Sequence, residues 1–174
     1  MKRNEGYVLI ILLIAISVMS IGLIIATPVW MTQIQREKEE ELIFRGNQYV
    51  EAVRIYQMKY PGKYPKSLEE LLKEKCLRKL YPDPMTKHGK WDIILHQETL
   101  TEKKEQSVQK VMIAPQEALS SLENPHILGV VSSSRRKSIK IYQKQEFYNL
   151  WLFFYGKDPQ KLPEIVYYGK ERAK

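Results

Sequence analysis

The chain is predicted to be an α+β protein in which one long N-terminal helix packs on a small antiparallel β-sheet. Three observations predict this class. Residues 7–35 carry no charge and are dense in Ile, Leu, Val and Ala as far as Trp30. A pattern typical of an amphipathic helix follows without a break. The last third contains short runs rich in Ile, Val, Trp and Phe, which favour strands.

The uncharged stretch is long enough to cross a membrane as one helix. About 20 apolar residues at a rise of 1.5 Å span the ~30 Å hydrocarbon core of a bilayer. Lys2 and Arg3 precede the stretch, and this placement favours a cytoplasmic N-terminus. We therefore expect a single-pass membrane protein whose remaining residues lie outside the cytoplasm, which in a two-membrane cell means the periplasm.

The helix is expected to continue through residues 31–60 as an amphipathic spine, which makes it about 50 residues long in total. Apolar residues recur at spacings of three and four and define one face. The members of this face are Leu42, Gly46, Tyr49, Val53, Tyr56 and Tyr60. The glycine on this face predicts the close approach of a strand or loop. The opposite side is expected to be polar and to carry Glu39, Glu40, Arg54 and Lys59.

Residues 61–174 are expected to form one globular periplasmic domain. Ser67 and Glu70 resemble a capping box and predict a short helix from Leu68 to about Cys76. Strands are predicted at Ile93–Leu95, Ile127–Ser132, Ser138–Tyr142 and Asn149–Tyr155, with an edge strand at Val166–Tyr168. The polar residues 98–125 are interpreted as a long excursion with a helical turn near residues 116–122.

The residue pattern gives no indication of an enzyme, a cofactor or a metal site. No phosphate-binding loop, nucleophile elbow or paired-cysteine motif is present. His88, His96 and His126 are scattered over expected loops and strand ends, and we assign them surface or edge roles. The single cysteine, Cys76, cannot form an internal disulfide, so the domain is expected to be stabilised by packing alone.

Arg135, Arg136 and Lys137 form the only dense basic cluster in the sequence. We interpret the cluster as a solvated connection between two strands. The alternative is a contact for an anionic partner, such as DNA if the protein belongs to an uptake machine. Nucleic acid is not the partner that we expect.

The residues around Gly6 resemble the prepilin leader of type IV pilins and type II secretion pseudopilins. Gly6 stands directly before the apolar run, which begins at Tyr7. The resemblance implies that a prepilin peptidase removes the leader, residues 1–6, by cleavage between Gly6 and Tyr7. It also implies N-methylation of Tyr7 and retention of the apolar helix, residues 7–30, on the mature protein.

One other position in the apolar run fits the family pattern and one departs from it. Pro28 lies near the end of the run, as is usual in the family, and removes one intrahelical hydrogen bond. Gly22 softens the same region of the helix. The glutamate that family members usually carry would fall at position 11, where this chain has Ile11. This departure argues against a routine major subunit, although some minor, tip-located pseudopilins also lack that glutamate.

Two downstream segments extend the resemblance to type II secretion proteins of the major-pseudopilin-like kind. They are Tyr-Pro-Lys-Ser-Leu-Glu-Glu-Leu at residues 64–71 and Leu-Tyr-Pro-Asp-Pro-Met-Thr at residues 80–86. The resemblance implies a pilin-like fold. Major pseudopilins often bind calcium near the C-terminus, but this chain has only Asp158 and Glu164 there, so the calcium site is not carried over.

The resemblance implies a pseudopilin or minor pilin that acts by polymerisation. Its helix would enter the core of a short periplasmic filament together with other pilin or pseudopilin subunits, and an inner-membrane assembly platform would drive the process. One alternative is an uncleaved, signal-anchored periplasmic scaffold or binding protein. A membrane-tethered enzyme is a weaker alternative, because no convergent set of acid, base and nucleophile is present in the sequence.

Overall fold

The computed structural model describes residues 5–96, 110–122, 124–156 and 161–169. Helix α1 spans Glu5–Lys59 and helix α2 spans Leu68–Lys73. The strands are β1 Trp91–His96, β2 Lys110–Pro115, β3 Ile127–Ser132, β4 Lys137–Tyr142, β5 Gln145–Phe147, β6 Phe153–Phe154 and β7 Glu164–Tyr167. The chain divides into two compact units, Met1–Glu37 and Lys38–Lys174.

The prediction of one long N-terminal helix is confirmed, since α1 contains 55 residues. Pro28 lies inside this helix. A proline has no N–H group to donate to the carbonyl four residues earlier. The helical conformation nevertheless continues on both sides of Pro28, so the proline weakens the hydrogen-bond ladder locally without ending the helix.

The second unit contains a five-stranded sheet with the order β6-β3-β1-β2-β7. Strand β1 pairs antiparallel with both β2 and β3, and β3 pairs antiparallel with β6. The last strand, β7, pairs parallel with β2. The expected antiparallel sheet is therefore a mixed sheet. The physical reason is that β7 does not pair with β6, the strand before it in the chain, but lies at the opposite edge beside β2 and runs in the same direction as β2.

The strand predicted at Ser138–Tyr142 is present as β4, but it lies outside the main sheet. It pairs with β5 in a separate two-stranded sheet. Gln143 and Lys144 connect the two strands, and both have positive φ values, 52° and 63°. Two successive positive φ values are typical of the tight turns that join hairpin strands. This β4–β5 unit is called the hairpin below.

Three other sequence predictions need correction. The segment interpreted as an irregular excursion contains β2, although its predicted helical turn is present as a 3-10 helix at Gln116–Ser121. The strand predicted at Asn149–Tyr155 is reduced to the two residues of β6. Helix α2 ends at Lys73 rather than Cys76.

The predicted cap of α2 is confirmed for the Ser67 hydroxyl, but the Glu70 carboxylate binds the N–H of Lys66 instead of the N–H of Ser67. The Glu70 N–H donates to the Ser67 hydroxyl oxygen at 3.2 Å, as a capping box requires. The Glu70 carboxylate accepts from the N–H of Lys66 at 2.6 Å, one residue before the cap. The cap fixes the N-terminus of α2 against the turn that follows α1.

The amphipathic face of α1 supplies the main core of the second unit. Leu42, Tyr49 and Val53 are almost fully buried on it. The close approach predicted at Gly46 is confirmed, because a Cβ atom there would overlap the ring of Phe153 on β6. Glycine is therefore the residue that allows the helix and this aromatic side chain to pack at this distance.

A smaller apolar cluster lies on the opposite face of the main sheet. Side chains alternate between faces along β1, so Ile93 joins the main core and Ile94 the second cluster. The cluster also includes Val111, Leu128, Leu152 and Phe154. The sheet thus buries apolar side chains on both faces.

Candidate functional site

The first unit presents an apolar helical surface to the surroundings. Every described large hydrophobic side chain from Tyr7 to Ile34 is exposed. Charged residues are absent from the sequence between Gly6 and Gln35, where the polar side chains include four Ser and Thr hydroxyls and the amide of Gln33. Among the described residues, α1 is the one helix that is long and apolar enough to cross a membrane, a criterion that signal sequences also meet.

The hydroxyl side chains on this surface donate their hydrogen bonds inside the helix. Ser17 donates to the carbonyl of Leu13 at 2.7 Å, and Ser20 donates to that of Ile16 at 2.8 Å. Thr27 and Thr32 bond the carbonyls four residues earlier in the same way, at 2.7 and 2.9 Å. These four are all the Ser and Thr residues between positions 7 and 35. Because each hydroxyl already has a partner, the surface is less polar than its composition indicates.

The glycine at the predicted cleavage site has no packing role within the described structure. A Cβ atom on Gly6 would meet no atom within 4 Å, and its φ is not positive. The same holds for Gly22, whereas Gly46 is required by the Phe153 ring. A glycine in a helix costs about 1 kcal/mol relative to alanine. The described residues therefore give no packing reason for glycine at position 6 or position 22.

The other residues expected to take part in assembly lie on the same helix. Tyr7 is exposed in the first helical turns, and Ile11 is exposed one turn later. Pro28 is also exposed, close to the end of the apolar stretch. The predicted processing and assembly residues therefore share one uninterrupted helical segment, while the leader residues before Glu5 lie outside the described residues.

The basic cluster is less uniform than its sequence indicates. Arg135, Arg136 and Lys137 are all exposed. The Arg136 guanidinium, however, donates to the carbonyl oxygen of Met85 at 2.6 Å, and Lys137 forms an ion pair with Glu146 at 2.9 Å. Arg136 therefore connects the segment between β3 and β4 to the Asp-Pro-Met-Thr loop. Because Lys137 is also paired, the three side chains do not form one free basic patch.

Asp83, in the Asp-Pro-Met-Thr loop, is a buried carboxylate with a structural role. It accepts hydrogen bonds from the Met85 N–H at 2.8 Å and the Ser132 hydroxyl at 2.7 Å. Burial raises the pKa of Asp83, and the hydrogen bonds and nearby Arg136 oppose that shift. Burial also raises the pKa of Asp92, with a further contribution from the Asp83 charge. The hydrogen bond between Ser132 and Asp83 joins this loop to the end of β3.

Glu39 does not lie on the polar side of α1, where the helical pattern of the sequence predicts it. Its side chain is fully buried. Its carboxylate accepts from the N–H groups of Ile139 and Lys140 at 2.7 and 3.0 Å, and from the Tyr148 hydroxyl at 2.7 Å. Glu39 thus joins α1 to the hairpin. No local pattern distinguishes it from its glutamate neighbours, because its partners lie about 100 residues away.

One cleft lies between the C-terminal part of α1 and α2. It has a volume of about 390 Å³ and is lined in part by Tyr56, Tyr60, Glu70 and Glu74. The Tyr56 hydroxyl donates to Glu70 and the Tyr60 hydroxyl to Glu74, both at 2.7 Å. These polar groups therefore satisfy one another.

The described residues also contain no group of three or more His, Cys, Asp and Glu side chains that could hold a metal ion. His96 and His126 pack against Tyr64 instead, each with a ring-centroid distance of 5.5 Å. His88 is exposed. Asp158, considered above for calcium, lies outside the described residues.

Comparisons with known proteins find no family model, no curated protein and no solved structure that matches this chain.

Proposed function

We propose that this chain is a pseudopilin or minor pilin subunit that assembles through the apolar half of α1. One observation carries the proposal: the exposed surface of α1 from Tyr7 to Ile34 is apolar and its hydroxyl groups are bonded internally. A surface of this kind requires a partner that excludes water. A bilayer and a bundle of similar helices both meet that requirement.

The proposed mechanism is a transfer of this helix from lipid to the core of a filament. Lipid tails and packed apolar helices are similarly hydrophobic, so the transfer gains little from the hydrophobic effect and depends on helix packing. An inner-membrane assembly platform would supply the work, and the sheet-bearing unit would remain outside the membrane. Lys2 and Arg3 support an N-terminus on the cytoplasmic side.

The processing step gives the first test. Co-expression with a prepilin peptidase should remove residues 1–6 and expose Tyr7 as a methylated N-terminus. Gly6→Leu should prevent removal, because the resemblance implies a glycine directly before the scissile bond. Gly22→Ala is the matched control, since Gly22 also has no packing contacts. Intact-mass measurement of the membrane fraction distinguishes the processed chain from the full-length chain.

The same measurement separates this proposal from its alternative. A signal-anchored scaffold or binding protein keeps residues 1–6 whether or not the peptidase is present. An unchanged mass with active peptidase would therefore favour the alternative. The peptidase must be shown to cleave a known pilin precursor in the same cells.

Assembly needs its own test because cleavage alone does not prove polymerisation. Single-cysteine variants at exposed positions such as Ile10 and Leu13, in a Cys76→Ala background, should cross-link to other pseudopilin subunits in membranes. A cysteine at exposed Lys63 serves as the control outside the apolar stretch. Absence of any cross-link from the apolar positions, with all subunits expressed, would contradict the proposal.

A further inference from the structure

The hairpin exposes apolar side chains that the core does not use. Ile139, Ile141 and Phe147 have exposed fractions of 39%, 69% and 42%, and together they are called the hairpin patch. The hairpin is anchored from its other side by Tyr142, whose ring centroid lies 5.3 Å from that of Trp151. The fold of the hairpin therefore does not explain why these three positions are apolar.

The hairpin patch is surrounded by positive charge. Residues 135–147 include five basic side chains and one acidic side chain, Glu146. Glu146 pairs with Lys137, and Glu40 of α1 pairs with Lys140. The Glu39 carboxylate also lies against the hairpin, at the N–H groups of Ile139 and Lys140. Five positive and three negative charges leave a net charge of +2 around the patch. Apolar side chains within a cationic rim are typical of segments that bind anionic lipid surfaces.

The covalent chain keeps the hairpin within reach of the proposed membrane span. Glu39 joins the hairpin to α1 through the N–H groups of Ile139 and Lys140. Trp30, near the end of the apolar stretch, precedes Glu39 by nine residues. A chain of nine residues reaches at most about 32 Å, whatever its conformation.

We propose that the hairpin patch docks on the surface of an anionic phospholipid bilayer, with the three apolar side chains in the interfacial region and the basic side chains at the lipid phosphates. The inference rests on the proposed function, because it requires that the apolar half of α1 spans the same bilayer. A second copy of this chain is a poorer occupant, since two such patches, each with a net positive charge, would repel each other.

The test uses the full chain reconstituted in vesicles, with an environment-sensitive fluorophore on Ile141→Cys in a Cys76→Ala background. Ile141 is largely exposed, so the label should leave the fold intact, which a circular-dichroism melt checks. The control carries the label at Lys63→Cys, an exposed position beyond the C-terminal end of α1. The vesicles contain a lipid-borne quencher and either phosphatidylglycerol or phosphatidylcholine alone.

We expect the label at position 141 to be quenched in the anionic vesicles, and quenched much less in phosphatidylcholine and at position 63. Raised salt should weaken the quenching because it screens the charges. Arg135→Gln and Lys144→Gln should each shift the docking equilibrium about fivefold towards the undocked state. Arg136 is left unchanged because it bonds the carbonyl of Met85.

Several results would overturn the inference. Equal quenching at positions 141 and 63, or in both lipids, would remove the evidence for specific docking. Disulfide cross-links through Ile141→Cys between copies, without lipid quenching, would assign the hairpin patch to a subunit contact. Alkaline carbonate extraction separates the two proposals. A chain retained in the vesicles without quenching at position 141 contradicts only this inference, whereas a chain released by carbonate contradicts the proposed function as well.

Discussion

Two buried carboxylates link elements of the second unit that are distant in sequence. Glu39 connects α1 to the hairpin, and Asp83 connects a loop to the end of β3. A charge removed from water is tolerated only when hydrogen bonds or opposite charges compensate it. In both cases the compensation comes mainly from backbone N–H groups and hydroxyls, so these acids act as structural acceptors.

Replacement of Glu39 should destabilise the second unit strongly. Glu39→Ala leaves two backbone N–H groups and the Tyr148 hydroxyl without this acceptor, and a buried unsatisfied donor costs about 1–3 kcal/mol. We expect a loss of about 2–4 kcal/mol in the free energy of unfolding, measured by urea denaturation in detergent. Glu40→Ala, which removes only an exposed ion pair with Lys140, is the control and should have little effect. Equal effects of the two variants would contradict this role for Glu39.

Asp83 should make a distinct contribution to the pH dependence of stability. Because burial raises its pKa in the folded state above the reference value of 3.8, the folded protein holds this proton more tightly than the unfolded chain does. The resulting stabilisation is complete below the unfolded pKa and is lost as the pH rises through the folded pKa. Relative to Asp83→Asn, the wild-type protein should therefore become more stable as the pH is lowered from 7 towards 4.

Urea denaturation of both proteins at several pH values measures this difference directly. The comparison with Asp83→Asn cancels the contributions of carboxyl groups remote from Asp83, several of which have lowered pKa values and act in the opposite direction. The part of the Asp92 shift that the Asp83 charge causes is removed together with that charge. A stability difference that is constant with pH would contradict the prediction.

At the scale of elements, α1 uses one helical geometry for two environments. Its first part exposes apolar side chains all around, whereas its second part buries one face against the sheet. Glycines at positions 22 and 46 show the contrast, since only Gly46 faces a neighbouring side chain. Packing, rather than helix propensity, therefore decides whether alanine can replace glycine at each of these two positions.

Alanine at the two helical glycines should have different effects. Gly46→Ala places a Cβ atom in the Phe153 ring and should lower the stability of the second unit by about 1–3 kcal/mol, the usual cost of overpacking. Gly22→Ala meets no atom and should leave the melting temperature of that unit unchanged. Thermal unfolding followed by circular dichroism in detergent checks both. An unchanged melting temperature for Gly46→Ala would contradict this prediction and would mean that β6 moves away from α1 at little cost in free energy.

At the scale of the whole molecule, the single cysteine cannot form a disulfide within the chain, so packing and hydrogen bonds stabilise the second unit. Its single thiol, Cys76, is buried in the main core near Leu77 and Leu71. Burial raises the pKa of the Cys76 thiol, which further lowers the fraction of reactive thiolate at neutral pH. Reaction of this cysteine therefore requires opening of the core.

Labelling of Cys76 should report on the integrity of that core. A thiol reagent at pH 7 should react slowly with the native protein and rapidly once urea passes the unfolding midpoint measured by circular dichroism. Ile141→Cys, at an exposed position, should react at once under native conditions and provides the reference rate. Rapid native reaction of Cys76 would show that the core opens locally well below global unfolding.

The strands show how far the sequence alone predicts this fold. β3 is correct in both limits because its residues are apolar and lie between clear turn signals. β2 was missed since it lies inside a largely polar segment, and β7 was found although its parallel pairing with β2 was not. Pairing direction depends on where the connecting chain crosses the sheet, and no local pattern contains that information.

The sequence by itself determined the apolar length of α1, the amphipathic face that follows it, the cap of α2 and the need for glycine at position 46. The first three depend on residues a few positions apart, which interact through the regular geometry of one helix. Glycine at position 46 is indicated by its place on the amphipathic face, although the ring that requires it, Phe153, lies far away in the chain. Only the tertiary structure decided that Glu39 is buried, that the hairpin stands apart from the main sheet, and that the main sheet is mixed. These features depend on contacts between residues far apart in the chain, whose free energy appears only after the whole unit has packed.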